Sequence, residues 1–180
     1  PGTSLLIWTA HVWTLPGNVG VAVNPDAEYV IVERDMPESE AAKDREPEKL
    51  ILARAFLSRI FGEEPVRVYE TFRGSKLKGL KYRPLFQFLI ADKPAFRVVL
   101  DNLPITDVGS GLTQLAPAFD AHDLQLARQN DLPVLLPVGE DGTFVSDVRP
   151  WRGMFFKDAG TYIQQDLLER GLLFRIAVSY

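Results

Sequence analysis

The sequence contains no cysteine, and this absence excludes both disulfide bonds and thiolate metal ligands. It contains only two histidines, so a zinc site would need His11, His122 and carboxylates together. It also lacks the Gly-x-Ser-x-Gly elbow of serine hydrolases. We therefore predict a chain that binds neither a metal ion nor another cofactor.

Long apolar runs and an excess of positive charge are missing as well. The apolar run at 134–136 is far shorter than the roughly 20 residues of a membrane span. The N-terminus has no basic region followed by an apolar one, so we predict a cytoplasmic location without membrane contact. Lysine and arginine number 20 against 24 aspartates and glutamates, and the pI is near 5.2. Contact with a nucleic acid should therefore be local, or should depend on another domain.

The composition, with 46% hydrophobic and 24% charged residues, fits one domain over residues 1–180 with a polar surface excursion at about 34–48. Turn residues and β-branched runs predict strands over 4–9, 18–33 (with a turn at 24–26), 66–72, 96–100, 111–115 and 172–178, and a hairpin of 132–138 with 143–148. Helical spacing of apolar residues predicts helices over 48–61, 120–129 and 158–170. Many short strands with few helices indicate a mixed α/β, strand-rich fold with a closed β-barrel core decorated by a few helices.

Several segments, in order along the chain, resemble one family. Residues 8–18 read W-T-A-H-V-W-T-L-P-G-N, which is similar to the family's W-T-T-T-P-W-T-L-P-x-N. Residues 79–86 read G-L-K-Y-R-P-L-F, and residues 109–123 align with G-T-G-I-V-H-x-A-P-A-F-G-x-x-D. N-D-L-P-V at 130–134 and E-R-G-L-L-F at 169–174 complete the resemblance to the editing domain of isoleucyl-tRNA synthetases. The W-T-L-P tetrapeptide favours this member over the valyl and leucyl domains, which carry T-T-R-P.

The resemblance implies hydrolytic proofreading, in which valine misattached to tRNA(Ile) is removed by a metal-free, water-mediated reaction. The chain would be an editing domain excised from a larger synthetase, into whose catalytic domain it is inserted. Its implied partners are the tRNA(Ile) 3′ end carrying valine and that catalytic domain. The parent enzyme would use ATP and Mg²⁺, but neither ATP-site signature occurs in this sequence. We expect the isolated chain to be a monomer.

The family also implies roles for individual residues. Asp123 is implied to bind the α-ammonium of the misattached amino acid, although an aspartate near a helix N-terminus also suits the helix dipole. Asn18 matches a pocket asparagine, but it equally suits a turn after proline and glycine. Thr9 retains the first threonine of the motif and could hydrogen-bond the substrate or the terminal adenosine. Trp8 is either a substrate contact or a core residue.

Other positions depart from the family's pattern. Ala10 lacks a hydroxyl that the family places near the substrate carbonyl, while His11 and Val12 replace a threonine and a proline. Gln114 stands where the family has a histidine that helps to exclude isoleucine. Asp120 replaces a glycine and adds a carboxylate to the motif.

Two hypotheses follow from these departures. In the first, His11 acts as a base or orients water and so forms a remodelled catalytic group with Thr9 and Asp123. In the second, the site has lost its chemistry, and the domain is a catalytically silent module that binds the tRNA 3′ end.

Overall fold

A computed structural model of the chain describes residues 2–34, 47–102 and 109–176. The described residues form a mixed α/β, strand-rich fold. The strands are β1 (Thr3–Leu5), β2 (Gly20–Val23), β3 (Glu28–Arg34), β4 (Glu48–Ala53), β5 (Val66–Arg73), β6 (Arg97–Leu100) and β7 (Leu112–Leu115). The α-helices are α1 (Leu57–Phe61), α2 (Ala121–Gln129) and α3 (Gly160–Glu169). Short 3₁₀ helices cover Val12–Gly17, Arg54–Phe56, Gly74–Leu77 and Arg149–Trp151.

Four strands form one sheet in the order β1-β4-β3-β5. β1 runs parallel to β4, whereas β3 is antiparallel to both β4 and β5. Val30, Val32, Leu52 and Ala53 in the two inner strands are completely buried. Their burial supplies apolar stabilisation at about 25 cal/mol per Å² of surface removed from water.

The predicted helix over 48–61 is wrong in its first half, which is strand β4. Residues 50–53 of this strand are buried, and β4 pairs with a neighbour on each side. A strand buried on both faces is a continuous apolar run, and such a run cannot be distinguished from a buried helix segment by its periodicity. Only Leu57–Phe61 is α-helical, and the positive φ of Gly62 ends this helix.

The other three strands form a second sheet in the order β6-β2-β7, and every residue of the central strand β2 is buried. The prediction of a closed barrel is wrong because both sheets are open. Within the described ranges, β1 and β5 are the outer strands of one sheet, and β6 and β7 are those of the other. Closure requires a continuous ring of staggered strands. β1 has only three residues, and β5 leaves Val68 and Tyr69 exposed.

The predicted hairpin of 132–138 with 143–148 is reduced to a turn. An isolated bridge joins Val138 to Phe144, and the Gly139 amide donates to the Thr143 carbonyl. Pro133 and Pro137 lack amide donors, so the first arm cannot sustain a regular ladder. The predicted strand 172–178 is likewise absent over the described residues 172–176, and residues 177–178 lie outside the described part of the chain.

The helices predicted over 120–129 and 158–170 are confirmed as α2 and α3, which are shorter by one and three residues. The predicted polar excursion at 34–48 lies mostly outside the described residues, since 35–46 are not described. Within the described ranges, no helix is both long and apolar enough to cross a membrane.

Two compact units account for the packing of the chain. Unit 1 consists of Pro1–Thr9, Val21–Lys81 and Arg97–Gln114, and unit 2 consists of Ala10–Gly20, Tyr82–Phe96 and Leu115–Tyr180. Unit 1 contains the four-stranded sheet, and unit 2 contains α2 and α3. The single editing domain over 1–180 remains a prediction.

Candidate functional site

The segment that resembles the threonine-rich motif is mostly not a strand. The predicted strand over 4–9 ends as β1 at Leu5, and Trp8 forms only an isolated parallel bridge with Thr113. Val12–Gly17 then forms a 3₁₀ helix. A Cβ on Gly17 would lie 3.1 Å from the ring of Phe119, so glycine allows this helix to pack closely against the turn that precedes α2.

His11 lies at the N-cap of that 3₁₀ helix and is exposed. Its carbonyl accepts hydrogen bonds from the Thr14 amide at 3.0 Å and the Thr14 hydroxyl at 2.7 Å. Its imidazole packs edge-on against Trp13 with 4.8 Å between ring centroids, and Trp13 in turn packs against Phe156. The backbone of His11 therefore stabilises the 3₁₀ helix, and its ring lies at the surface against Trp13.

The remaining residues of the motif region differ in exposure. Trp8 is 42% exposed, Thr9 is half-buried and Ala10 is exposed. Gln114 on β7 is only 7% exposed. Trp8, Thr9 and Gln114 belong to unit 1, while Ala10 and His11 belong to unit 2.

Asn18 is buried, and both the nitrogen and the oxygen of its side-chain amide form hydrogen bonds. Its Nδ2 donates to the Gly20 carbonyl at 2.8 Å and to the Leu115 carbonyl at 3.3 Å. Its Oδ1 accepts from the Tyr82 hydroxyl at 2.6 Å. Burial raises the pKa of Tyr82 well above its usual value, so the phenol stays protonated and remains a donor at neutral pH. Asn18 thus has a fixed amide orientation.

Asp123 lies in the first turn of α2 and is half-buried. Its Oδ2 accepts a hydrogen bond of 2.8 Å from the Ala116 amide. In a capping box, an acidic side chain at this position turns back to the N-cap amide. Here the carboxylate reaches instead to the segment that follows β7.

Asn18 and Asp123 therefore contact the two poles of one peptide group, the bond between Leu115 and Ala116. Asn18 and the Val19 amide donate to its carbonyl, and Asp123 accepts from its N–H. All of these residues belong to unit 2. The structure brings these two predicted site residues to one place, and their hydrogen bonds define the candidate site.

Asp120 caps α2. Its Oδ1 accepts from the amides of His122 at 2.8 Å and Asp123 at 3.0 Å, the arrangement that stabilises a helix N-terminus. The aspartate that replaces the family's glycine thus positions the first turn that carries Asp123. The pattern of an aspartate three residues before an acidic residue could have predicted this capping role.

We expect Asp120→Ala to lower the free energy of unfolding by about 1 kcal/mol, because two amides in the first turn of α2 lose their acceptor. Urea denaturation followed by circular dichroism would measure the loss. Asp120→Asn, which keeps an acceptor, should remain within a few tenths of a kcal/mol of the parent chain. Equal stability of the alanine and asparagine variants would show that the cap contributes nothing.

Two concave surfaces occur elsewhere in the described residues. One, of about 660 Å³, is lined by Asp141, Thr143, Phe144 and Arg152 among others, and the second is lined by Asp26, Glu28, Arg54 and Arg73. Neither is lined by a predicted site residue, so we place the site by its polar contacts rather than by cavity shape. No group of three or more histidines, aspartates and glutamates within the described ranges could hold a metal ion.

Solved structures share this architecture. The crystal structure of GlLeuRS-CP1 matches with a TM-score of 0.72 over 99% of this chain and 85% of that chain, at 14% identity. The Plasmodium falciparum cytosolic leucyl-tRNA synthetase editing domain matches with a TM-score of 0.68 over 93% of this chain and 77% of that chain, at 11% identity. The fold is therefore that of aminoacyl-tRNA synthetase editing domains.

Sequence comparison then identifies the family. The isoleucine–tRNA ligase of Bdellovibrio bacteriovorus is 38% identical over 97% of this chain, and that of Nocardia farcinica is 37% identical over 97%. The chain belongs to the isoleucine–tRNA ligase family, as the motifs predicted. It spans about 16% of the length of these relatives. No family model matches the sequence.

Proposed function

We propose that the chain is the editing domain of an isoleucyl-tRNA synthetase and hydrolyses valine misattached to tRNA(Ile). The observation that carries the proposal is the half-buried carboxylate of Asp123, which the Ala116 amide holds beside the Leu115–Ala116 peptide. A fixed carboxylate is suited to bind the α-ammonium of an aminoacyl ester through a charge-assisted hydrogen bond. Such binding requires a free amino group on the substrate.

The reaction itself needs little machinery. Water attacks the ester carbonyl carbon, the bond to the ribose oxygen breaks, and valine and the free 3′ end of the tRNA leave. Positioning of the water and stabilisation of the oxyanion supply most of the acceleration in such a step. In this proposal His11 orients or deprotonates the water, and Thr9 hydrogen-bonds the substrate or the terminal adenosine. No metal or other cofactor takes part.

Selection of the amino acid falls to the residues around the ester. An apolar synthetic site separates isoleucine from valine by only about 10- to 200-fold, and this explains why a second site is needed. Trp8, Ala10, Asn18 and Gln114 are the proposed substrate contacts. Gln114 stands where the family has a histidine, and we propose that this replacement weakens the exclusion of isoleucine from the site.

The partners in this proposal are the 3′ end of tRNA(Ile) and the catalytic domain of the parent synthetase, which would use ATP and Mg²⁺. The net charge of −4 supports tRNA binding that is shared between this chain and the rest of the synthetase. A chain with a net negative charge would bind a polynucleotide only weakly by itself.

A catalytically silent module that binds the tRNA 3′ end is the second candidate. The observation that favours it is that several residues of the segment 8–18, which resembles the threonine-rich motif, lack a hydroxyl or are engaged in structural contacts. Ala10 has no hydroxyl, the His11 ring packs against Trp13, and the Asn18 amide is engaged by backbone carbonyls and Tyr82. The His11 and Asn18 side chains thus have structural roles that require no catalysis, and Ala10 offers no hydroxyl to a substrate.

Deacylation of preformed Val-tRNA(Ile) and Ile-tRNA(Ile) by the synthetase that contains this chain separates the two candidates. Valine-selective hydrolysis supports editing, and hydrolysis of both esters indicates that Gln114 excludes isoleucine poorly. Absence of hydrolysis of either ester would overturn the proposed activity and leave the silent module.

We expect His11→Ala to lower the rate of Val-tRNA(Ile) deacylation by roughly 100-fold, the lower end of what a positioned general base contributes. His122→Ala is the matched control, because His122 is the chain's only other histidine and is exposed on α2. Single-turnover kinetics would measure both variants. Equal rates in the two would show that His11 takes no part in the chemistry.

A further inference from the structure

Tyr82 has no role in the proposed chemistry, yet it is tightly held beside Asn18. Its hydroxyl donates to Asn18 Oδ1 at 2.6 Å, and its ring packs edge-on against Phe96 with 6.3 Å between centroids. Its amide donates to the Phe96 carbonyl at 3.0 Å. Backbone and ring contacts therefore both restrict where the hydroxyl can lie.

Phe96 has an unusual backbone for a bulky residue, with a φ of +59°. A positive φ in an aromatic residue is a genuine conformational outlier and persists only where surrounding contacts enforce it. The Phe96 amide donates to the Val19 carbonyl at 2.7 Å, and this bond ties the strained residue to the neighbour of Asn18. Tyr82 and Asn18 are thus linked both directly and through Phe96.

The hydrogen bond from Tyr82 decides which way the Asn18 amide faces. A phenol that donates must meet the amide oxygen, so Nδ2 is directed to the Gly20 and Leu115 carbonyls. A flipped amide would place two donors against the Tyr82 hydroxyl and an oxygen against two carbonyls. Loss of the Tyr82 hydroxyl removes the hydrogen bond that holds the oxygen side of the amide.

The Leu115–Ala116 peptide links the orientation of the Asn18 amide to the position of the Asp123 carboxylate. Its carbonyl oxygen and its N–H point in opposite directions, because the bond is planar and trans. The Val19 amide at 2.9 Å and Asn18 Nδ2 at 3.3 Å both donate to the carbonyl, and the N–H donates to Asp123 Oδ2 at 2.8 Å. A rotation of this peptide plane therefore displaces the donor that fixes the carboxylate, and hydrogen bonds in such a series strengthen one another.

We propose that Tyr82 is a positioning residue, which acts through Asn18 and the Leu115–Ala116 peptide to set the Asp123 carboxylate for the substrate ammonium. The coupling is a property of this chain, while its use in substrate binding rests on the proposed function. Sequence analysis missed Tyr82, although it lies in the G-L-K-Y-R-P-L-F segment, because its partner is 64 residues away.

Tyr82→Phe tests the coupling in the 180-residue chain, since it removes the hydroxyl and keeps the ring. Tyr29→Phe is the matched control. Tyr29 is completely buried, and its hydroxyl donates to the Gly111 carbonyl at 2.7 Å and accepts from the Asn24 amide, all within unit 1. Both variants lose a partly buried phenolic hydrogen bond, but only Tyr82→Phe disturbs Asn18.

The first readout is the Ala116 amide signal in NMR, which needs no ligand. We expect Tyr82→Phe to shift this signal and to speed its hydrogen exchange by roughly 3- to 10-fold, while Tyr29→Phe leaves it at the parent position. An Ala116 amide that behaves alike in the two variants would overturn the coupling, whether or not the chain edits.

The second readout is the affinity for a non-hydrolysable valyl-adenosine analogue, measured by calorimetry. We expect Tyr82→Phe to weaken binding roughly 3- to 10-fold and Tyr29→Phe to leave it unchanged. Equal affinities in the two variants, with clear binding by the parent chain, would overturn the positioning role alone. Failure of the parent chain to bind the analogue would instead count against the proposed function. The Ala116 amide signal would still show whether Tyr82 is coupled to the Leu115–Ala116 peptide.

Discussion

Asp123→Asn is expected to weaken binding of a valyl-adenosine analogue by about 10- to 140-fold while the fold stays as stable as the parent. A hydrogen bond to a charged group contributes about 1.5–3 kcal/mol, and each 1.4 kcal/mol is tenfold in affinity. The asparagine has nearly the same shape and keeps an acceptor for the Ala116 amide, which Asp123 Oδ2 contacts at 2.8 Å. It removes only the charge that would pair with the α-ammonium. Calorimetric titration would measure the change.

Two controls make this result specific. Asp131→Asn also removes one negative charge near α2, but from an exposed residue that pairs with Lys93 at 2.8 Å, and it should bind the analogue normally. An analogue without the amino group should bind the parent chain and Asp123→Asn equally weakly. If Asp123→Asn binds the valyl analogue as tightly as the parent chain does, the carboxylate does not bind the ammonium.

Asp123→Ala distinguishes the contribution of Asp123 to stability from its proposed role in binding the ammonium group. It removes the acceptor of the Ala116 amide as well as the charge, so it should also cost about 1–2 kcal/mol of stability. A stability loss in the alanine variant that is absent in Asp123→Asn would assign that loss to the hydrogen bond.

Gly111→Ala is expected to destabilise the fold by about 3–5 kcal/mol, the largest stability effect of any variant considered. Gly111 has a φ of +80°, and a Cβ there would lie 2.3 Å from the Cβ of Ala53. Ala53 is completely buried in β4, and its amide donates to the Ser110 carbonyl at 2.8 Å, so neither segment can move away cheaply. Thermal unfolding should show a midpoint lower by about 10 °C.

Gly79→Ala is the matched control for this prediction. Gly79 has a φ of +78°, nearly the same as Gly111, but a Cβ there would meet nothing within 4 Å. The control therefore reports only the cost of the left-handed backbone, about 1–2 kcal/mol. Equal losses in the two alanine variants would mean that Ala53 accommodates the added methyl group without strain.

Local sequence patterns correctly predicted those helices and strands that are specified by residues within one short segment. α2 and α3 follow from apolar residues at helical spacing, and β5 follows from a β-rich run. The same signal failed for β4, because a strand between two neighbours is apolar throughout and resembles a buried helix. It failed again at 132–138, where two prolines interrupt the ladder that the turn residues suggested.

The sequence by itself determined the family, which the comparisons confirm, and it also singled out Asn18 and Asp123 as candidate site residues. Only the tertiary structure decided that these two residues contact one peptide group, that Tyr82 orients Asn18, and that both sheets are open. The physical reason is the distance along the chain over which each feature is specified. Periodicity and helix caps act within a few residues, whereas Asn18 meets Leu115 across 97 positions, and no local pattern records such a partner.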